Sequence, residues 1–453
     1  MRKLFGTDGI RGRANQFPMT SEMAMNLGRA VTYYFQKNNS NLSGKPLIIL
    51  GKDTRLSCYM LELAFSSGVC SQGGRVVLTG PLPTPGVSFV TGNMRAHAGV
   101  MISASHNQYY DNGIKLFDAN GDKLPDSVEL EIEKMVLNPT LIKPAPDKEL
   151  GRAQRLDEVI GRYIVQVKSC LDKKVSLDGM RVVLDCANGA GYKVGPMILS
   201  ELGAEVFSLG VNPNGQNINL GVGSLHPEIA AEDVKKYKAE IGICLDGDAD
   251  RVVIIDEKGD ITHGDILIGI LAKFSLETGM IKKGEEIVGT VMSNMALENY
   301  IEGLGLKFYR AKVGDRYILE RMRKSKSKLG GEPSGHIIWP SVSRTGDGIL
   351  SALKVLEAMN FYQKPFSALK NEFELYPQMT TNVTVKKKED FKNFPEISSE
   401  LKKQEGKLKG KGRILLRYSG TESLARVMVE GESMPLIEEI SDVISGVVSK
   451  CLG

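Results

Sequence analysis

Residues 98–117 read AGVMISASHNQYYDNGIKLF, and the order of apolar run, small polar loop and second apolar run decides the fold. Gly99-Val100-Met101-Ile102 is too short for a helix and suits a buried strand. It halts at Ser103-Ala104-Ser105-His106-Asn107, small polar residues that favour a tight loop over a continued core strand. A hydroxyl there sits at the carboxyl end of a strand. Serine is a weak nucleophile alone, so chemistry at Ser105 requires a base, a metal or prior phosphorylation. Ser103 and Ser105 alternate along an extended chain, which predicts that they face opposite ways and that only one meets a metal.

Working outward, the same order of elements recurs. Apolar residues at helical spacing over 21–35 precede a strand at 47–50 and the polar loop Gly51-Lys52-Asp53-Thr54-Arg55. A helix over 59–70 and a strand at 75–78 follow, and then the strand that feeds Ser105. A second round has strands at 181–184 and 205–209 around a helix near 196–202. Its third strand, 241–245, feeds Asp246-Gly-Asp-Ala-Asp250-Arg251. A third round has strands at 287–291 and 307–310 around a helix at 297–304, and it delivers Gly330-Gly331-Glu332-Pro333-Ser334-Gly335-His336. In open α/β sheets ligands lie beyond the carboxyl ends of the strands, so the three loops are expected to converge on one cleft.

The last stretch departs from this order and reads as strands first (382–386, 413–416, 425–429) and a helix last. That helix carries the stripe Leu436, Ile437, Ile440, Val443, Ile444, Val447 and Val448. The expected fold class is α/β: three similar mixed-sheet α/β domains, their pairing mostly parallel, plus a smaller C-terminal α+β domain around a central cleft. The expected bounds are 1–150, 151–255, 256–368 and 369–453, with a hinge near 369.

The chain has 453 residues, 42% hydrophobic and 25% charged, too many for one core and enough for about three to four domains. Its 58 basic and 54 acidic residues leave +4, which implies no general affinity for nucleic acid; any anion must be bound locally. The lysine-rich runs at 386–388 and 402–413 read as solvated surface. Six cysteines (Cys58, Cys70, Cys170, Cys186, Cys244, Cys451) form no CxxC pair and suit a reduced state. No apolar h-region follows the first residues, and no run reaches the ~18 apolar residues of a spanning helix, so a cytoplasmic protein without a membrane partner is expected.

Asp246, Asp248 and Asp250 alternate in one loop, which turns three hard oxygen ligands toward a divalent cation, magnesium best. An EF-hand is excluded: Glu257 falls at the twelfth position, but Arg251 stands where the sixth needs glycine, and residues 252–255 read as a strand. Arg417-Tyr418-Ser419-Gly420-Thr421-Glu422 joins two strands. Its guanidinium, hydroxyls and glycine amide form a phosphate cradle, with Arg426 nearby. Neither GxxxxGK[ST] nor GxGxxG occurs, which argues against a nucleotide as the phosphate source. Arg11 and Lys115 are cations near the cleft, although a lysine following a glycine turn is by default solvated. His97, His226 and His263 read as structural and His106 as shaping the serine loop. His336, in a convergent loop, is an acid/base or phosphate-contact candidate.

Ser-Ala-Ser-His-Asn, Asp-Gly-Asp-Ala-Asp-Arg, Gly-Glu-Pro-Ser-Gly-His and Arg-Tyr-Ser-Gly-Thr-Glu, in that order, resemble the four signature loops of the α-D-phosphohexomutases, one per domain across essentially the whole chain. FGTDGIRG at the start, Gly51-Lys-Asp-Thr-Arg-Leu-Ser57, Pro83-Thr-Pro-Gly86 and Lys312-Val-Gly-Asp-Arg-Tyr317 look most like its bacterial glucosamine members. The resemblance implies that Ser105 is a phosphoserine and that Asp246, Asp248 and Asp250, with an oxygen on Ser105, hold Mg2+. Glu332 and Ser334 would contact sugar hydroxyls. Arg417, Ser419, Gly420 and Thr421, with Arg426, would grip the non-reacting phosphate. Arg11, Lys115 and His336 would assist proton transfer, and Arg251 would face the reacting groups.

The implied reaction interconverts glucosamine 6-phosphate and glucosamine 1-phosphate through a sugar 1,6-bisphosphate that is both intermediate and activator. It would feed UDP-N-acetylglucosamine and cell-wall precursor synthesis. The implied partner is a small phosphosugar, and a homodimer is admitted. Gln108 and Ser423 stand where the family commonly has proline, and Pro333 where glucosamine members commonly have glutamine. Because Pro333 lies between the two sugar-reading residues, a phosphoglucomutase or phosphomannomutase of the same fold remains the alternative. A magnesium-dependent phosphatase and a sugar-phosphate sensor are further alternatives.

Overall fold

The computed structural model describes residues 3–6, 8–38, 44–419 and 423–453. They divide into two compact units, Met1–Met292 with Leu306–Lys370, and Ser293–Gly305 with Asn371–Gly453.

The larger unit holds three sheets that share one strand order. In each, a central strand pairs in parallel with the strand after it in sequence and, on its other side, with a third strand; that third strand pairs antiparallel with a fourth. The first sheet runs Arg75–Pro81, Leu47–Lys52, Ala98–Ile102, Asp111–Phe117, and extends to Arg152–Arg155 on one edge and to Gly9–Arg13 and Phe5–Gly6 on the other. The second runs Glu205–Leu209, Arg181–Asp185, Ile241–Leu245, Val252–Asp256, with Ile261–Thr262 at its edge. The third is Lys307–Ala311, Glu286–Thr290, Gly330–Gly331, Ile337–Ile338. The sheets are thus mixed, and parallel pairing does not dominate as the sequence suggests. The returning strands are short apolar runs whose direction periodicity does not show.

That returning strand positions the chemistry. Each conspicuous loop is the hairpin connection between the third and fourth strands: 103–110, 246–251 and 332–336. Ala98–Ile102 and Ile241–Leu245 are buried at every residue, as expected of strands covered on both faces. Two glycines let the loops approach one another. A Cβ on Gly247 would lie 2.5 Å from the Ser105 carbonyl oxygen, and one on Gly335, where φ is +82°, would lie 2.0 Å from that of Val252. The serine loop therefore packs on the acidic loop, and the Glu332 loop packs on the strand that follows it.

The smaller unit is an antiparallel sheet, Gln378–Thr384, Leu424–Gly431, Gly412–Tyr418, covered by helix Met434–Leu452. Ile437, Ile440, Ile444 and Val448 of the predicted stripe are buried there. Strands do not simply precede the helix: Pro395–Lys407 is helical and lies between the first two strands in sequence. Its apolar stripe is broken by a buried polar residue, Gln404, which hides the helical period. Helix Met295–Gly303, expected on the third α/β sheet, belongs to this unit instead. Asn294 exchanges hydrogen bonds with the Tyr376 backbone at 3.0 and 3.1 Å, and Tyr300 stacks on Phe373 at 4.3 Å.

All six cysteines are free. His97 accepts from the Leu47 amide, His263 accepts from the Asp265 amide at the start of helix Gly264–Glu277, and His226 is exposed. Among the described residues no helix is long and apolar enough to cross a membrane.

Candidate active site

Ser105 is 1% exposed, and its Oγ donates to Asp246 Oδ2 at 2.5 Å. The alternation argument for Ser103 and Ser105 fails in its premise. Ser105 adopts φ +53°, because the chain turns sharply here, and Ser103 Oγ accepts from the Ser105 amide at 2.9 Å. The two hydroxyls part nonetheless, Ser103 donating to Asp53 at 2.6 Å.

Asp246, Asp248 and Asp250 are buried and bring one oxygen each within 4.8 Å of the others. Burial, with the charges of Asp250 and Asp248, pushes the Asp246 carboxyl well above the usual range. Burial acts the same way on Asp250, but Lys115 and His336 outweigh it and hold that carboxyl well below. Oδ1 of Asp248 and Oδ1 of Asp250 are buried and receive no hydrogen bond. Like charges so close, with oxygens left over, form a donor set that fits a hard divalent cation.

Lys115 is not solvated, contrary to its default reading. It is 1% exposed, and its Nζ lies 2.8 Å from Asp248, 3.3 Å from Asp250 and 3.3 Å from Asp8. The residues that bury it come from distant sequence. Burial alone would lower its pKa, and these carboxylates more than offset it, so the ammonium stays charged. His336 Nδ1 lies 3.5 Å from Asp250 and Nε2 3.7 Å from Asp315, while Nε2 accepts from the Gly346 amide at 3.0 Å. Here too burial lowers the pKa, and Asp250 leads the carboxylates that raise it on balance.

A cavity of about 380 Å³ opens beside these groups, lined by Arg11, Arg251, Glu332 and His336 together with Asp8, Lys123 and Asp315. Arg251 lies within 3.1 Å of His106 Nδ1. Burial and the charges of Arg251 and Arg11 push that imidazole down to about 4, so it is neutral and accepts the bond. Glu332 is half-buried and accepts from the Gly314 amide at 2.9 Å; Ser334 is exposed and donates to Glu332 at 3.4 Å.

In the smaller unit Arg417 and Arg426 are direct partners across paired strands, and burial with the Arg426 charge lowers the Arg417 pKa. Ser419 accepts through its carbonyl from Lys388 Nζ at 2.7 Å. Gly420 and Thr421 lie outside the described residues.

Four family models match in succession: phosphoglucomutase/phosphomannomutase alpha/beta/alpha domain I at residues 2–142, domain II at 161–259, domain III at 263–376, and the C-terminal domain at 381–446. The chain belongs to the phosphoglucomutase/phosphomannomutase family. Within it, a phosphoglucosamine mutase of Pelobacter propionicus is 50% identical over 454 aligned residues, covering 100% of this chain and 99% of the relative. One of Geobacter metallireducens is 49% identical, with 100% of both chains covered. Among solved structures, a family protein of Burkholderia thailandensis superposes with a TM-score of 0.80 at 21% identity, covering 98% of this chain and 97% of that one. An Aspergillus fumigatus N-acetylphosphoglucosamine mutase, in complex with GlcNAc-6P and magnesium, gives 0.71 at 16%, covering 100% and 96%. Both share the family fold.

Sequence reasoning overlooked the groups that hold the family's serine loop in place. Arg55, fully buried, donates through Nη2 to the carbonyls of Ser105 at 2.9 Å and Asn107 at 2.8 Å. Nη1 donates to those of Gln108 and Asp111, and Nε to Asp53 at 2.8 Å. Asn219, from the second repeat, donates to the Ser105 and Asn107 carbonyls, both at 2.9 Å. Thr84 donates to Asp248 at 2.6 Å. A polar loop containing an arginine was visible in sequence, but nothing there says that the arginine is buried.

Proposed function

We propose that this chain is a phosphoglucosamine mutase that interconverts glucosamine 6-phosphate and glucosamine 1-phosphate. The observation that carries the reading is the hydrogen bond from Ser105 Oγ to Asp246, which sets a hydroxyl nucleophile on a buried three-carboxylate cluster. Relatives named for that activity, about half identical over the full length, support the choice of sugar.

In the proposed cycle a phosphoryl group on Ser105 passes to the free hydroxyl of the sugar phosphate. The P–Oγ bond breaks, a new P–O bond forms, and the hydroxyl proton leaves to a base. The resulting 1,6-bisphosphate reverses its orientation, and its other phosphoryl returns to Ser105. Asp246, Asp248 and Asp250 would hold Mg2+, which when bound neutralises charge on the transferring phosphoryl group. Lys115, kept charged by its carboxylates, is a cation beside them and assists proton transfer. His336, whose Nδ1 faces Asp250, and Arg11, which lines the same cavity, share that role. Arg251 faces the reacting groups. Glu332 and Ser334 read the sugar hydroxyls; Arg417, Arg426, Ser419, Gly420 and Thr421 grip the phosphate that does not react. The substrate is a small water-soluble metabolite, in keeping with a cytoplasmic enzyme.

Coupled assays on glucosamine, glucose and mannose phosphates test the reading. Turnover of glucose or mannose phosphate equal to or above that of glucosamine phosphate would overturn the choice of sugar. Intact-protein mass spectrometry with peptide mapping tests the mechanism, which predicts phosphate on Ser105 after incubation with a sugar bisphosphate.

A further inference from the structure

Helix Asp315–Ser325 reaches from the catalytic cavity, lined by its first residue, to a second cavity of about 290 Å³. Leu319 and Met322 floor the second cavity, and Arg323, Lys326, Lys328 and Arg344 rim it. Two of these cations are engaged. Arg323 lies 2.6 Å from Asp122, and Lys328 donates to the Met280 carbonyl at 2.8 Å and reaches Glu285 at 3.2 Å. Among the described residues no carboxylate lies within ion-pairing distance of Lys326 or Arg344, and Arg344 acts on Asp122 only at longer range. Cations at the end of a helix ordinarily answer its dipole, which accounts for Arg323 and Lys326. It does not account for Arg344, which comes from the loop after strand Ile337–Ile338.

We propose that this cavity is a regulatory site for a phosphate-bearing anion, separate from the catalytic cleft. Lys326 and Arg344, neither of them ion-paired at close range, match the charge of a phosphate dianion, and the Leu319–Met322 floor accommodates the less polar part of a phosphate ester. Two chain connections link occupancy to catalysis. Asp122 and Lys123 are consecutive, one in each cavity, and Lys123 pairs with Asp315 at 2.7 Å; an anion that draws Arg323 from Asp122 loosens the segment that carries Lys123. Arg344 stands two residues before Gly346, whose amide donates to the His336 ring at 3.0 Å. Filling the second cavity therefore shifts groups that line the first and changes turnover.

The single tryptophan, Trp339, is 5% exposed and adjoins Pro340, which lines the second cavity. Its emission should change saturably on titration with inorganic pyrophosphate, with calorimetry as a parallel readout. Arg344→Gln and Lys326→Asn should each weaken that binding roughly tenfold, the loss of one charge-assisted hydrogen bond, and leave turnover without pyrophosphate unchanged. Asparagine tolerates the left-handed backbone at Lys326, where φ is +61°. Arg417→Gln, in the substrate-phosphate cradle, should leave the titration as it is. The proposal is overturned if millimolar pyrophosphate gives neither heat nor emission change. It is equally overturned if Arg417→Gln abolishes the response and the two cavity variants do not, since the anion then binds only where substrate phosphate binds.

Discussion

Arg55→Lys isolates the scaffolding of the serine loop from its charge. Arg55 reaches five acceptors: the carbonyls of Ser105, Asn107, Gln108 and Asp111, and Asp53. A lysine ammonium carries only three N–H donors on a single point, so at least two acceptors lose their partner. The Ser105 and Asn107 carbonyls retain Asn219, which leaves those of Gln108 and Asp111 as the ones most exposed to loss. A buried acceptor without a partner costs about 1–3 kcal/mol, so two cost about 2–6 kcal/mol, and these two, only half-buried, should fall in the lower part of that range. Urea unfolding followed by Trp339 emission measures this directly. Because Ser105 would drift from Asp246 while the substrate-binding side chains stay in place, kcat should fall roughly 10- to 100-fold with KM little changed. Destabilisation below about 1 kcal/mol together with wild-type kcat would refute the assignment of Arg55 as the residue that positions the nucleophile.

Ser105→Ala should abolish turnover in the coupled assay. Ser103→Ala, which removes the acceptor of the Ser105 amide, should instead reduce turnover about tenfold and stability by about 1 kcal/mol. Mg2+ should raise the thermal midpoint, by the equivalent of about 2.7 kcal/mol at a hundred times its dissociation constant, and Asp248→Asn should lose most of that gain in a melting experiment. Burial pushes Asp347 up to about 6 from the ordinary 3.8, although it caps helix Gly348–Tyr362 through the Leu350 amide and accepts from Tyr163. The folded state then binds this proton more tightly than the unfolded chain. Its stabilising contribution is complete at low pH and is lost as pH rises from about 4 to about 6, a loss of about 3 kcal/mol. The stability of wild type relative to Asp347→Asn should accordingly be greater near pH 4 than near pH 7 in urea titrations, and an unchanged difference would refute it.

Much of this molecule is legible in the order of its residues. Short apolar runs that end in Ser-Ala-Ser-His-Asn, Asp-Gly-Asp-Ala-Asp and Gly-Glu-Pro-Ser-Gly-His declare strands followed by functional loops, because a backbone that leaves a sheet needs small or polar residues and a ligand needs exposed donors. The alternating aspartates and the stripe of the last helix are likewise local patterns, set by the periods of loop and helix. Helix Pro395–Lys407 escaped this reading because Gln404 occupies a core position.

What the tertiary structure alone decided is which charges are buried and by whom. Lys115 follows a glycine turn, and in sequence it is indistinguishable from a solvated lysine. Asp248 and Asp250, more than a hundred residues away, pair with it and favour its charged form. Arg55 is an arginine in a polar loop until the carbonyls of residues 105–111 close around it. The fourth strand of each repeat, which turns the chain back and in the first repeat carries Lys115 to the acidic loop, has no signature beyond a short apolar run. Local periodicity specifies secondary structure through neighbours a few residues apart. The protonation states and positions of the site depend on groups brought together across the chain, and only the folded arrangement supplies those distances.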